Sequence, residues 1–212
     1  MASRLGRQIS ALEAMSGIDR MILSGTKFEE VSEDVVGHLV SLTKCNAAAV
    51  IACDTDARTK GKMISLLESQ IFHERIDLPD DVGHSWCQPR QVAIAEVAEV
   101  DAPYKLRFES FGQNYVVLIP VILKDDLKGV LLIGFRSQFD MSQGSLQRCV
   151  DLAGRFAVAL SSVEREETLY RQAHFDTLTG LPNRQLLKDR LEQHLSNARV
   201  DEHSGACLLY TS

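Results

Sequence analysis

Asp176 and Arg184 bracket the run Asp176-Thr177-Leu178-Thr179-Gly180-Leu181-Pro182-Asn183-Arg184, which packs two turn signals and a helix start into a short space. Thr177 and Thr179 offer hydroxyls, Gly180 permits positive φ, and Pro182 precedes Asn183, a good helix N-cap. Such a run stops one helix and restarts the chain in a fixed direction, which is positioning chemistry. Elsewhere, His73, His84 and Cys87 invite comparison with a metal or haem site, but their spacing matches no ligand pattern, so no metal residues are assigned. The five cysteines (Cys45, Cys53, Cys87, Cys149, Cys207) are scattered, odd in number and without a C-x-x-C pair, which points to thiols in a reducing cytosol. No P-loop, G-x-G-x-x-G, H-E-x-x-H or nucleophile-elbow pattern is present, and no catalytic residue is assigned.

Four aromatic residues, Trp86, Tyr104, Phe108 and Phe111, suit either the lining of a small-molecule cavity or plain core packing, because pocket walls and cores share apolar chemistry. The formal net charge of −6 argues against a nucleic-acid partner, which would require a basic face. The apolar runs YVVLIPVIL and VLLIGF fall well short of the ~20 residues of a membrane helix, so no span is expected in this segment.

The elements that must position these residues follow from periodicity. Leu5, Ile9, Leu12, Met15, Ile18 and Ile22 mark one face of a helix, and Val31, Val35, Leu39 and Leu42 mark a second over 28–42, with Thr26 as N-cap and Glu29 completing a capping box. Short β-rich runs then cover 47–53, 62–69, 91–97, 115–123 and 128–135, with Lys124–Leu127 as a hairpin turn. Helical pieces are expected near 80–88 and 102–111. Helices before, between and after five strands describe an α+β domain on an antiparallel sheet.

From Met141 the period is helical again: Leu146, Cys149, Ala153, Phe156, Leu160, Val163, Glu167 and Tyr170 form a heptad seam that turns charged after Val163. Phe156, Leu160 and Val163, helped by Leu5, Ile9 and Leu12, are the expected contacts of a parallel homodimer. Leu187, Leu191 and Leu195 space a further amphipathic helix, with Lys188 placed to pair with Glu192, and 206–210 (ACLLY) reads as a buried strand.

The D-x-L-T-G-L-P-N-R run, with Phe175 before it and QLLKDRLEQHL after it, resembles the opening signature of the GGDEF family, the diguanylate cyclases, particularly versions fused to an EAL phosphodiesterase domain. The resemblance covers about 172–210. It implies a parent enzyme that condenses two GTP into cyclic di-GMP, with GTP and Mg²⁺ needed only where its metal carboxylates and GG(D/E)EF loop are present. Neither can be assigned here: Thr211 and Ser212 stand about where the first metal carboxylate is expected, so the chain reads as an incomplete, inactive GGDEF segment. In this resemblance Asp176 and Arg184 look like salt-bridge partners that orient the joint.

Residues 115–135, with a Pro inside the first strand and Gly129 near the start of the second, are similar to the central hairpin of GAF domains, and the upstream order of elements over 5–165 fits that family, against a PAS-like or unrelated α+β sensor. Trp86, Tyr104, Phe108 and Phe111 then fall in segments that roof a GAF pocket, whose ligand the sequence leaves unknown. Cys87 is followed by Gln88, and the chain has no Cys-His pair of the kind commonly used for bilin attachment. The expected organisation is a GAF-like sensor over 1–165, a signalling helix over 160–175 and an incomplete GGDEF domain over 174–212. Its function would be sensory and dimerising within a cytoplasmic cyclic di-GMP signalling protein, the alternatives being a non-catalytic dimerisation or ligand-binding module with a degenerate GGDEF domain, or a GGDEF-EAL phosphodiesterase.

Overall fold

The structure, a computed structural model, describes residues 27–53, 60–78, 91–100, 102–137 and 141–201, with side chains to 196. The expected helix over 5–23, the helical piece near 80–88 with His84, Trp86 and Cys87, and the strand at 206–210 lie outside the described residues. The chain divides into two compact units, Met1–Glu164 and Arg165–Ser212.

The first unit is a six-stranded antiparallel sheet of order β3-β2-β1-β6-β5-β4, formed by β1 (Ala47–Cys53), β2 (Lys60–Leu67), β3 (Gln70–Asp77), β4 (Ala93–Glu96), β5 (Tyr115–Leu123) and β6 (Asp126–Phe135). Helix α1 (Phe28–Thr43) precedes it, a short α2 (Lys105–Ser110) lies between β4 and β5, and α3 (Gln143–His174) follows it. With these elements the first unit is α+β, built on an antiparallel sheet, as its order of elements suggested.

Both sheet faces are covered, which is why central β1 reads as an unbroken apolar run instead of alternating. On one face, Val31, Val35 and Leu39 of α1 and Cys149, Leu152, Phe156 and Leu160 of α3 pack on Ala48, Val50, Val117, Ile119, Leu131 and Ile133. On the other, Tyr104, Phe108 and Val97 pack on Ala47, Ala49, Ile51, Met63, Val116, Leu118 and Leu132. Strands β1 and β5 have the bounds expected from the sequence.

Three differences have physical causes. Strand β3 was not anticipated: the expected strand over 62–69 instead ends at Leu67, turns through Glu68 and Ser69 at φ 46° and 71°, and returns as an edge strand rich in charge. A two-residue turn with both central residues at positive φ normally announces itself by Asn or Gly, and here neither is present. The turn at Lys124-Asp125 has the same geometry, with φ 49° and 71°, and the strand resumes at Asp126. Second, α1 starts one residue later than a Thr26 cap requires: Lys27 is the N-cap and makes no side-chain cap bond, so there is no capping box.

Third, the heptad seam of α3 is occupied within its own chain. Phe156 is fully buried, Leu160 is 4% exposed, and Val163 packs partly buried against the same core. The expected contacts of a homodimer are therefore the contacts of α3 with its own sheet and α1, because a helix closing an antiparallel sheet shows the same three- and four-residue spacing as a coiled coil. Lys128 at the start of β6 reinforces this docking, its ammonium 3.0 Å from Glu164 of α3 and 3.0 Å from Asp126. Burial works against that charge, yet the two carboxylates outweigh it and raise the Lys128 pKa.

Candidate functional site

In the second unit, the run from Asp176 to Arg184 forms a closed turn between α3 and α4 (Arg184–Asp201). Asp176 Oδ1 accepts hydrogen bonds from the Thr179 hydroxyl (2.7 Å), the Thr179 amide (2.9 Å) and the Leu178 amide (3.2 Å). The Thr179 bonds, from hydroxyl and amide, hold the Asp176 carboxyl below its usual pKa. Gly180 takes φ +68° and donates its amide to the Asp176 carbonyl, while Asp176 donates its own amide to the Leu181 carbonyl. Phe175 and Pro182 form a β-bridge across the loop.

Asn183 closes the joint from both sides. Its Oδ1 accepts the Leu186 amide at 3.0 Å, the expected N-cap of α4, and its Nδ2 donates to the Ala173 carbonyl at 2.7 Å. Its own amide donates to the His174 carbonyl, so one residue satisfies groups at the end of one helix and the start of the next. Leu186 is buried, alone among the described side chains of α4, and Lys188 and Glu192 pair at 3.6 Å as expected. Leu187, Leu191 and Leu195 are exposed, as are Leu178 and Leu181.

The expected salt bridge between Asp176 and Arg184 is not formed: the Asp176 carboxylate is committed to Thr179 and Leu178 inside the turn. A three-residue Asx-type turn satisfies the carboxylate locally, without fixing a long Arg side chain. Thr179, not Arg184, is the partner that shapes the joint, and its spacing from Asp176 is the signal that could have shown it.

On the face of the sheet away from α1 and α3, Tyr104 and Phe108 come together, edge to face with ring centroids 5.7 Å apart, and both are fully buried. Phe108 leans on the sheet where Gly134 leaves room: a Cβ there would lie 2.9 Å from its ring. Phe111 is placed apart from this pair, against Phe72 of β3 at 5.7 Å. Of the four aromatics that suit a pocket lining or a core, two thus fill the sheet face as core, one borders it, and Trp86 is outside the described residues. Polar groups missed by sequence reasoning share this region. The Ser65 hydroxyl and Gln113 Oε1 are buried without a protein hydrogen-bond partner, and Arg107 bonds Glu74. Of the residues compared with a metal site, His73 stands 3.0 Å from Glu33. Among the described residues no group of three or more His, Cys, Asp or Glu is placed to hold a metal ion, and no described helix is long and apolar enough to cross a membrane.

Residues 173–211 match the family described as "Diguanylate cyclase, GGDEF domain". No curated protein matches the chain. Among solved structures, the chain is similar to the phycoerythrobilin-bound GAF domain of a cyanobacterial phytochrome, with TM-score 0.57 and 14% identity over 74% of this chain and 97% of that one. A phycocyanobilin-bound GAF domain from a cyanobacterial phytochrome gives the same TM-score and identity. The chromophore-binding domain of the bacteriophytochrome RpBphP3 from R. palustris matches with TM-score 0.53 and 13% identity, over 76% of this chain and 63% of that one. At these identities the likeness establishes the fold. The first unit thus has a GAF-like fold, and residues 173–211, which follow it, are similar to the GGDEF family.

Proposed function

We propose that this chain, a GAF-like fold leading into GGDEF sequence, is the sensory and dimerising part of a cyclic di-GMP signalling protein, working in the cytoplasm. The observation that carries the reading is the course of α3. It is fixed in the sheet core by Cys149, Leu152, Phe156 and Leu160, runs without a break to His174, and ends in a turn where Asn183 binds both helices. A change in the packing of α3 on its sheet therefore has a continuous helix along which to reach the GGDEF segment.

Beyond Glu164 the helix is exposed on every face, with Leu169 and Tyr170 more than half exposed. A helix that leaves its own core buries little alone, and a second, parallel copy would cover it while delivering both GGDEF segments to one place. Since Phe156 and Leu160 are engaged within the chain, Leu169 and Tyr170 are the apolar groups left for that contact. Sedimentation at micromolar concentration should show a dimer that Leu169→Asp combined with Tyr170→Asp converts to monomer; a monomeric parent, or a variant as dimeric as the parent, would exclude this contact.

Asp176 is engaged by Thr179, Asp189 accepts from Gln185 at 3.0 Å, and Glu192 pairs with Lys188. The sequence also contains no GG(D/E)EF run. Incubated with GTP and Mg²⁺, the chain is expected to yield no cyclic di-GMP by chromatography. Product above that of a heat-inactivated control would overturn this.

A second reading, a module that dimerises without binding a ligand, is favoured by the filling of the second sheet face with Tyr104 and Phe108. The bilins named for the two phytochrome domains are not carried over, because no cysteine here is followed by histidine.

A further inference from the structure

Strands β4 and β5 are adjacent and antiparallel, yet the connection between them, residues 97–114, is far longer than a hairpin needs. Its two ends are drawn together by the Val97 amide, which donates to the Asn114 carbonyl at 2.8 Å. This neck stands at the β4 edge of the sheet. The side chains the connection sends down, Tyr104 and Phe108, pack over central strands, Phe108 beside Gly134 of β6 and Ala47 of β1. Its far attachment is on β3, the opposite edge. Five interstrand steps of ~4.8 Å separate the edges, so the connection crosses roughly 24 Å of sheet.

The far attachment centres on one residue of α2. Arg107 of α2 lays its guanidinium over the Phe72 ring, 4.5 Å from the centroid, and donates to both carboxylate oxygens of Glu74, through Nε at 3.3 Å and through a terminal nitrogen. Phe72 and Glu74 are two residues apart on one strand and so face the same side. Phe111, at the C-cap of α2, adds an edge contact to Phe72.

We propose that the described residues of this connection, 97–100 and 102–114, are a strap hinged at the Val97–Asn114 neck and latched at its far end by Arg107 on Phe72 and Glu74, so that release of the latch uncovers the sheet face beneath. Helix α2 has six residues, too few to persist without its packing. Gly112, at φ +69° with open space where a Cβ would be, lets the chain turn between α2 and β5. Within the strap, Lys105 Nζ donates to the Ala98 carbonyl at 2.6 Å and the Gln113 amide to the Phe108 carbonyl at 3.0 Å, while Asn114 fixes the hinge end to the end of β6, its amide donating to the Phe135 carbonyl at 2.9 Å and its Nδ2 to the Arg136 carbonyl at 2.7 Å. Beneath it, the Ser65 hydroxyl is buried on the same face without a protein hydrogen-bond partner, a polar point on an otherwise apolar surface. Strand β3 also meets α1 on its other face, where His73 stands against Glu33, so movement at the latch falls on a strand held from both sides. That such movement would serve sensing rests on the function proposed above; the latch itself does not.

Hydrogen exchange on the whole chain, without ligand, tests the latch. Arg107→Met keeps the stem over Phe72 but removes the charge, and Glu74→Gln keeps the shape of the acceptor. Each variant should speed exchange of the Phe108, Phe111 and Gln113 amides by about tenfold, the scale of losing a charge-assisted bond at a half-exposed site, while amides of β1 and β6 keep their parent rates. Unchanged strap amides in both variants would show that Arg107 latches nothing. Strap and sheet amides accelerating together would show that the strap opens only with the whole domain. Either result overturns the proposal, and neither depends on whether the domain has a ligand.

Discussion

Leu160→Asp is expected to unfold the first unit, and to do so before any change in association can be seen. Leu160 is 4% exposed among α1, the sheet and its own helix neighbours. Removing a buried leucine side chain alone costs ~2–5 kcal/mol, and the carboxylate that replaces it must be desolvated or protonated. Against a typical domain stability of ~5–15 kcal/mol, that change removes much or all of the margin. Urea denaturation followed by circular dichroism should show a midpoint far below the parent's, or no folded baseline. Phe156→Ala, fully buried on the same side, should lie between the two, at a cost of ~3–5 kcal/mol. A Leu160→Asp chain with the parent's midpoint and an altered sedimentation coefficient would instead place Leu160 against a second copy.

The contrast between those outcomes marks where periodicity runs out. The seam Leu146–Cys149–Ala153–Phe156–Leu160–Val163 says that α3 has an apolar face, and the structure agrees; it does not say whether another helix or a sheet meets that face. The signal that separates the two lies on the partner: β5 and β6 are apolar on both faces, so each face needs its own cover, and α1, a single helix about 10 Å across, covers only part of one. Strand β3 was illegible for the opposite reason. An edge strand exposes alternate residues and here carries His73, Glu74, Arg75 and Asp77, a composition that reads as loop until its partner β2 is known.

At the joint, the legible part was local. Gly180 at positive φ and Asn183 as N-cap are determined within a few residues and stand as the sequence indicates. The Asp176–Arg184 pair failed because opposite charges at a plausible spacing compete with a nearer hydroxyl and two amides, and the nearer donors won. The Arg107–Glu74 latch joins residues 33 apart in sequence across the width of a sheet. Nothing in the spacing of either residue announces it, because the long strap and the edge strand that bring them together were not both visible.

Alkaline pH should destabilise the first unit through Cys149, and replacing that residue should blunt the effect. Cys149 is fully buried on α3, and burial, with the neighbouring Cys45 adding to it and Arg148 opposing, pushes its pKa up to about 12 from an ordinary 9.0. The native state therefore keeps the thiol proton over a range in which the unfolded chain has lost it. The stabilisation is fully present below pH 9 and is lost as pH rises from about 9 towards 12, at up to ~1.4 kcal/mol per pH unit. Cys45, also raised chiefly by burial, acts in the same direction. So does Lys128, whose pKa is raised from 10.5, but only above that value, so the cysteines are read cleanly between about pH 9 and 10.5. Within that window Cys149 accounts for about 2 kcal/mol. Urea midpoints at pH 8 and 10.5 should therefore fall further in the parent than in Cys149→Ala, although the variant, having lost the sulfur's packing, starts lower at pH 8. Parallel losses in the two proteins would mean that the thiol ionises equally in both states, which a side chain held between α1, α3 and the sheet cannot do.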